Sequence, residues 1–168
     1  VAVRRAVLAF DIAGSGIPAG STIDSVTLSL SCIKARLNTN FNFRLHELSS
    51  NWGEGASNTG NSQQGRGETP ATGDATWQHT FYSNQFWSTP GGDYNGTASA
   101  TTPVGGQGSY TWGSMSGMVA DVQNWLNNPA QNFGWILIGD ESQTQTAKQF
   151  GTRENTQDGG ILRPSLTI

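Results

Sequence analysis

The chain carries two histidines, His46 and His79, and twelve acidic residues, and these bound the chemistry open to it. Serines are plentiful, but no Gly-x-Ser-x-Gly turn is present to expose one as a nucleophile at a strand–helix junction. No His-Glu-x-x-His and no Cys/His cluster has the spacing of zinc ligands. A glycosidase needs two carboxylates set across one bond. Glu47, Glu54, Glu68, Asp74, Asp93, Asp140, Glu141 and Glu154 supply the residue type, but no spacing pairs them. Calcium takes oxygen ligands from Asp-containing loops. Asp93, Asp140 and Glu141 lie in Gly- and Asn-rich surroundings and are weak calcium candidates, without EF-hand spacing; no other cofactor is implied. His46 alternates outward on a strand pattern and is expected to be solvated. His79, beside Trp77, is expected to take a structural hydrogen bond rather than act as a base.

The aromatic residues offer a different chemistry. Six tryptophans stand in 168 residues. Sugars stack their apolar faces on aromatic rings while neighbouring polar groups bind the hydroxyls. Trp52, Trp77, Trp87 and Tyr94 lie in or beside loops and, with His79, are the glycan-binding candidates; the competing reading is that most of these rings bury. Trp112, Trp125 and Trp135 fall in regular patterns and are expected in the core.

Those residues need a scaffold, and the chain's patterning describes one. A length of 168 residues fits one domain, 1–168, large enough to bury a core without metal or disulfide. The single cysteine, Cys32, excludes an internal disulfide and reads as a buried small apolar residue. Charged residues make up 12% and the net charge is −3, which argues against nucleic acid as a partner. No run of 18 apolar residues is present, so no helical membrane insertion is expected.

Val1–Ile12 reads as one strand, with Ala6, Leu8, Phe10 and Ile12 on one face and Val3, Arg5, Val7, Ala9 and Asp11 on the other. Val26, Leu28 and Leu30 alternate with polar residues, as do Phe41, Phe43 and Leu45. Residues 49–75 read as a long loop and 76–87 as an aromatic-rich segment. Met118, Val119, Val122, Trp125 and Leu126 recur at helical spacing, which predicts one short helix near 117–127, capped by Ser116 and ended by Asn127-Asn128-Pro129. Phe133–Ile138 and Leu162–Ile168 read as further strands. The class is all-β, a jelly-roll-like β-sandwich with one helix.

Several segments resemble DNRLRE-type domains, a family of secreted bacterial β-sandwich modules of which some are classed as carbohydrate-binding. The resemblance rests on Arg5-Ala6-Val7-Leu8-Ala9-Phe10-Asp11-Ile12, Ile17-Pro18-Ala19-Gly20-Ser21-Thr22-Ile23, Trp52-Gly53-Glu54-Gly55 and Ala75-Thr76-Trp77-Gln78-His79. It continues through Trp87-Ser88-Thr89-Pro90-Gly91-Gly92-Asp93, residues 132–142, residues 147–155 and Arg163-Pro164. The order and spacing of these motifs cover most of the chain. The resemblance implies a jelly-roll sandwich, extracellular or on a cell surface, and no particular activity. Within it, Arg153 is expected to form a bidentate pair with a carboxylate of the Asp140-Glu141 turn, bracing the last strands.

Members of that family begin several strands earlier, so the present chain is expected to lack the N-terminal strand or strands. Either that portion was cut away or another copy supplies it. In the second case Val3, Arg4, Arg5 and Val7 mark an assembly edge with unpaired backbone groups, and donor-strand exchange joins copies head to tail. The sequence therefore predicts a non-enzymatic, extracellular structural or adhesive subunit that forms a filament or matrix with other copies of itself. The alternative is a glycan-binding module of a larger secreted protein, with polysaccharide as partner.

Overall fold

A computed structural model describes residues 3–57 and 67–168. In chain order its elements are β1 (Arg5–Leu8), β2 (Thr27–Ala35), β3 (Phe41–Glu47), β4 (His79–Phe81), β5 (Gln85–Phe86), β6 (Ala100–Val104), β7 (Gly108–Trp112), α1 (Ser116–Asn127), β8 (Trp135–Ile138), β9 (Lys148–Phe150) and β10 (Ser165–Thr167). They group into two compact units, Val1–Glu47 with Gly96–Ile168, and Leu48–Asn95.

The first unit is an antiparallel β-sandwich. One sheet has the order β1-β8-β3-β6; the other has the order β10-β2-β7, with β9 also paired to β2. Period-two patterning builds both inner faces. Leu28, Leu30 and Cys32 of β2 point inward with Trp112 of β7, and Phe43, Leu45, Trp135 and Leu137 answer from the other sheet.

Helix α1 adds Met118, Val122, Trp125 and Leu126 to the same core through one apolar stripe. Its N-cap is Met115 in extended backbone, and Ser116 is already helical, so the expected serine cap is not made. The neighbouring Ser114 hydroxyl is instead the acceptor for Val26 N–H at 3.1 Å. The helix stops where Pro129 opens a 3₁₀ turn, as the Asn-Asn-Pro sequence predicts.

Three core tryptophans have no exposed surface, and each indole N–H finds an acceptor. Trp112 donates to the Phe43 carbonyl at 2.9 Å, Trp125 to Glu47 Oε1 at 3.0 Å and Trp135 to Asp121 Oδ2 at 2.7 Å. The Trp125 and Trp135 rings lie 4.6 Å apart. Burial pushes the Asp121 carboxyl up despite hydrogen bonds from Ser99 and Trp135. Burial also raises Glu47, and the nearby Asp121 charge adds to it.

Two further sequence expectations about this unit change. Of the strand expected over residues 1–12, the first two residues lie outside the described ones and the strand itself is Arg5–Leu8; beyond it Asp11 Oδ1 accepts Gly14 N–H at 2.8 Å and the chain turns into a 3₁₀ segment at Ala13–Ser15. His46 is buried, not solvated, at 8% exposure. It lies opposite Ile136 on β8, a strand whose four residues are buried on both faces, so the outward side of the sheet is covered there. Alternation identifies the face but not what lies over it. Close approach also decides Gly134: its φ is 77°, and a Cβ there would meet the Leu8 carbonyl oxygen at 2.1 Å.

The Leu48–Asn95 unit has little regular structure. Strands β4 and β5 form a small hairpin, and Leu48 bridges to Tyr94. No helix among the described residues is long and apolar enough to cross a membrane.

Candidate functional site

Strand β1 pairs only with β8, so one of its sides carries no strand among the described residues. Beside it opens a cleft of about 290 Å³ lined by β1 and the segment that runs through β9. Phe43, Leu137 and Phe150 supply apolar walls, and Gln143, Gln145 and Lys148 supply polar ones. The register puts Ala6 opposite Leu137, on the core-facing side, yet Ala6 is exposed. The inner face of the sandwich is therefore exposed at Ala6, while Leu137 and Phe43 behind it stay buried.

Of the expected edge residues, Val3, Arg4 and Arg5 line the cleft. Val7 does not; it lies opposite Ile136.

Charge at the cleft is largely held in place. Arg5 binds Glu141 through two parallel bonds, Nε to Oε1 at 2.7 Å and Nη2 to Oε2 at 2.8 Å. This corrects the pairing expected for Arg153, which instead meets its neighbour Glu154 at 2.8 Å on the exposed surface. A bidentate arginine does brace the 140–141 turn, but it comes from β1, which β8 carries alongside that turn. Asp140 folds back on its own loop: the Ser142 hydroxyl and N–H, with the Gln143 amide, hold its carboxyl below the usual range. Gln145 has left-handed backbone at φ 68°, and its side chain accepts from Arg36 Nε at 2.8 Å. Lys148 donates to the Leu37 carbonyl and lies over the Phe41 ring, 5.5 Å from its centre; burial pushes its pKa down.

The Leu48–Asn95 unit is organised by two aspartates. Asp74 is buried and accepts from the Ser57 hydroxyl and from the N–H groups of Ala71 and Ala56 at 2.6 and 2.9 Å. The Ser57 bond, aided by those N–H groups, holds its carboxyl low. Burial would raise Asp93, but bonds from Ser88 N–H at 2.8 Å, Thr89 N–H at 2.9 Å and the Ser50 hydroxyl outweigh it and leave the group lowered.

The calcium candidates are thus occupied as braces, Asp93 and Asp140 by loop groups and Glu141 by Arg5. Among the described residues no three His, Cys, Asp or Glu side chains converge as metal ligands.

The glycan candidates separate. Trp87 is 6% exposed and gives its indole N–H to the Thr76 carbonyl at 2.9 Å, so its ring is closed to a sugar. Trp52 and Tyr94 are half-buried. Trp77 is 43% exposed. His79 is half-buried and hydrogen-bonded to Thr76, the structural bond the sequence predicts.

Sequence reasoning passed over Phe86, which is 61% exposed, and Tyr82; both rings contact His79. The signal for them was a run without charge: residues 75–92 hold no Asp, Glu, Lys or Arg. The cleft walls Phe43, Leu137 and Phe150 left no such signal, since core and cleft residues share one pattern.

Comparison with protein-family models, with characterised proteins and with solved structures finds no match to this chain.

Proposed function

We propose that this protein is a non-catalytic, extracellular structural subunit whose β1 edge receives an extended strand from another copy of the chain. The observation that carries the reading is the side of β1 that no strand among the described residues pairs, beside a cleft with apolar walls. A strand laid there would pair its backbone with β1 and place alternate side chains over Phe43, Leu137 and Phe150, the two sources of affinity and specificity in strand addition. The donor strand and the receiving edge are different surfaces, so the contact is heterologous and extends into a filament.

The carboxylates support a structural role. Asp74, Asp93, Asp140 and Glu141 brace loops, and Glu47 and Asp121 hold indole N–H groups in the core. The motif order shared with DNRLRE-type domains is the sequence support for the extracellular setting.

The test is size-exclusion chromatography with light scattering over a wide concentration range, followed by electron microscopy. The chain is expected to form multimers, and Ala6→Lys, which puts a charge into the cleft mouth, is expected to give folded monomers. Monomers at every concentration would sink the reading, as would multimers indifferent to Ala6→Lys.

A further inference from the structure

We infer that the β4–β5 hairpin is a binding site for uncharged polysaccharide. Phe86 is 61% exposed, although it is a large apolar ring. One side of it rests against the His79 ring, with centroids 4.4 Å apart and a tilt of 36°. Tyr82 meets the same imidazole edge-on at 5.1 Å and 81°. Trp77, two residues before His79, is 43% exposed. His79 thus holds Phe86 and Tyr82 in place, and Phe86 and Trp77 offer the open ring surface onto which the C–H face of a pyranose packs.

The polar groups around the rings are fixed and available. Thr76 Oγ1 accepts the N–H of Gln78 at 3.1 Å and of His79 at 3.0 Å, which occupies both its lone pairs. Its own proton therefore goes to His79 Nδ1, 2.9 Å away. The imidazole proton then sits on Nε2, which no described residue accepts. The Tyr82 hydroxyl is likewise without a partner among the described residues. Two donors beside the rings are thus left for hydroxyl oxygens.

Charge selects the class of ligand. Residues 75–92 contain no Asp, Glu, Lys or Arg and are rich in Gln, Asn, Ser and Thr. Nucleic acid also stacks on aromatic rings, but its phosphates call for the cations this segment lacks. An anionic polysaccharide is disfavoured on the same ground. A neutral glycan chain needs only rings and uncharged hydrogen-bonding groups.

Electrophoresis of the whole chain through gels containing xyloglucan, mixed-linkage β-glucan, galactomannan or unsubstituted xylan tests the site. Retardation is expected in at least one gel, with an affinity loss of about tenfold or more for Phe86→Ala and for Trp77→Ala. Both side chains are exposed, so thermal midpoints are expected to stay at the wild-type value; Phe86→Tyr is expected to retain binding. The Ala6→Lys chain is expected still to be retarded, which separates sugar binding from assembly. No retardation in any gel overturns the inference. Retardation unchanged by both alanine variants overturns it too.

Discussion

In the sandwich, Trp112, Trp125 and Trp135 are wholly buried among aliphatic residues from both sheets and α1. In the 48–95 unit, Leu48 and Trp87 are the buried apolar side chains among the described residues, and Asp74 and Asp93 tie the chain together by accepting hydrogen bonds. One region is held by removing apolar area from water, the other by ionised carboxylates that satisfy loop N–H groups. The carboxyls beside the sandwich's core tryptophans and those of the 48–95 unit are shifted in opposite directions for that reason, while Asp140, on a surface loop of the sandwich unit, is lowered by its own loop's hydrogen bonds. Asp121 and Glu47 are raised because burial outweighs their bonds; Asp74 and Asp93 are lowered because their bonds win.

The largest break should come from the core. Trp135→Ala removes a fully buried ring and leaves Asp121 without its indole donor. A loss of about 4 kcal/mol is expected, read as a lower denaturant midpoint; a shift of a few tenths would refute the central place given to that ring. Next is Asp74→Ala, which strips the acceptor from Ser57, Ala56 and Ala71. About 2 kcal/mol is expected, and hydrogen exchange should quicken at residues 53–57 and 71–74 before it does in β2 or β3.

Acid sharpens the contrast further. Asp74 and Asp93 have folded pKa values below the usual one, so their stabilisation is complete above about pH 3.9 and is lost as pH falls through the folded values. Asp121 and Glu47 have raised values, so their favourable protonated state is complete below the usual value and is lost as pH rises through the folded ones. Acidification from neutral pH should therefore firm the sandwich first and then loosen residues 48–95. Limited proteolysis at stepped pH should cut within 48–95 while the sandwich survives. Asp121→Asn should flatten the sandwich's pH dependence; equal softening of both regions would refute the opposition.

The smallest effect is expected at the cleft rim. Glu141→Gln loosens a partly exposed arginine pair, for a cost of about 1 kcal/mol or less by thermal melting.

The regular elements were legible because their residues repeat with the period of the element. Leu28, Leu30, Phe43 and Leu45 alternate, and Met118, Val122 and Trp125 follow a helical stripe; all are buried. The errors fall where a local pattern cannot report its surroundings. His46 alternates outward but is covered, and Trp87 sits in a loop-like segment but is closed in by Thr76. Arg5 and Glu141, 136 positions apart, make a pair that spacing cannot reveal. The candidate platform was half legible: Trp77 and His79 stood out as residue types, while Phe86 became notable only when β5 proved to be two residues long and exposed.

By itself the sequence determined the all-β class, the single helix and the three core tryptophans. Periodicity and residue type are local properties, and each of these follows from them. Only the tertiary structure decided that one side of β1 carries no strand among the described residues, that a cleft opens beside it, and that Phe86 rather than Trp87 meets solvent. Exposure and strand neighbours depend on contacts between residues far apart in the chain, and those contacts exist only once the sheets have paired.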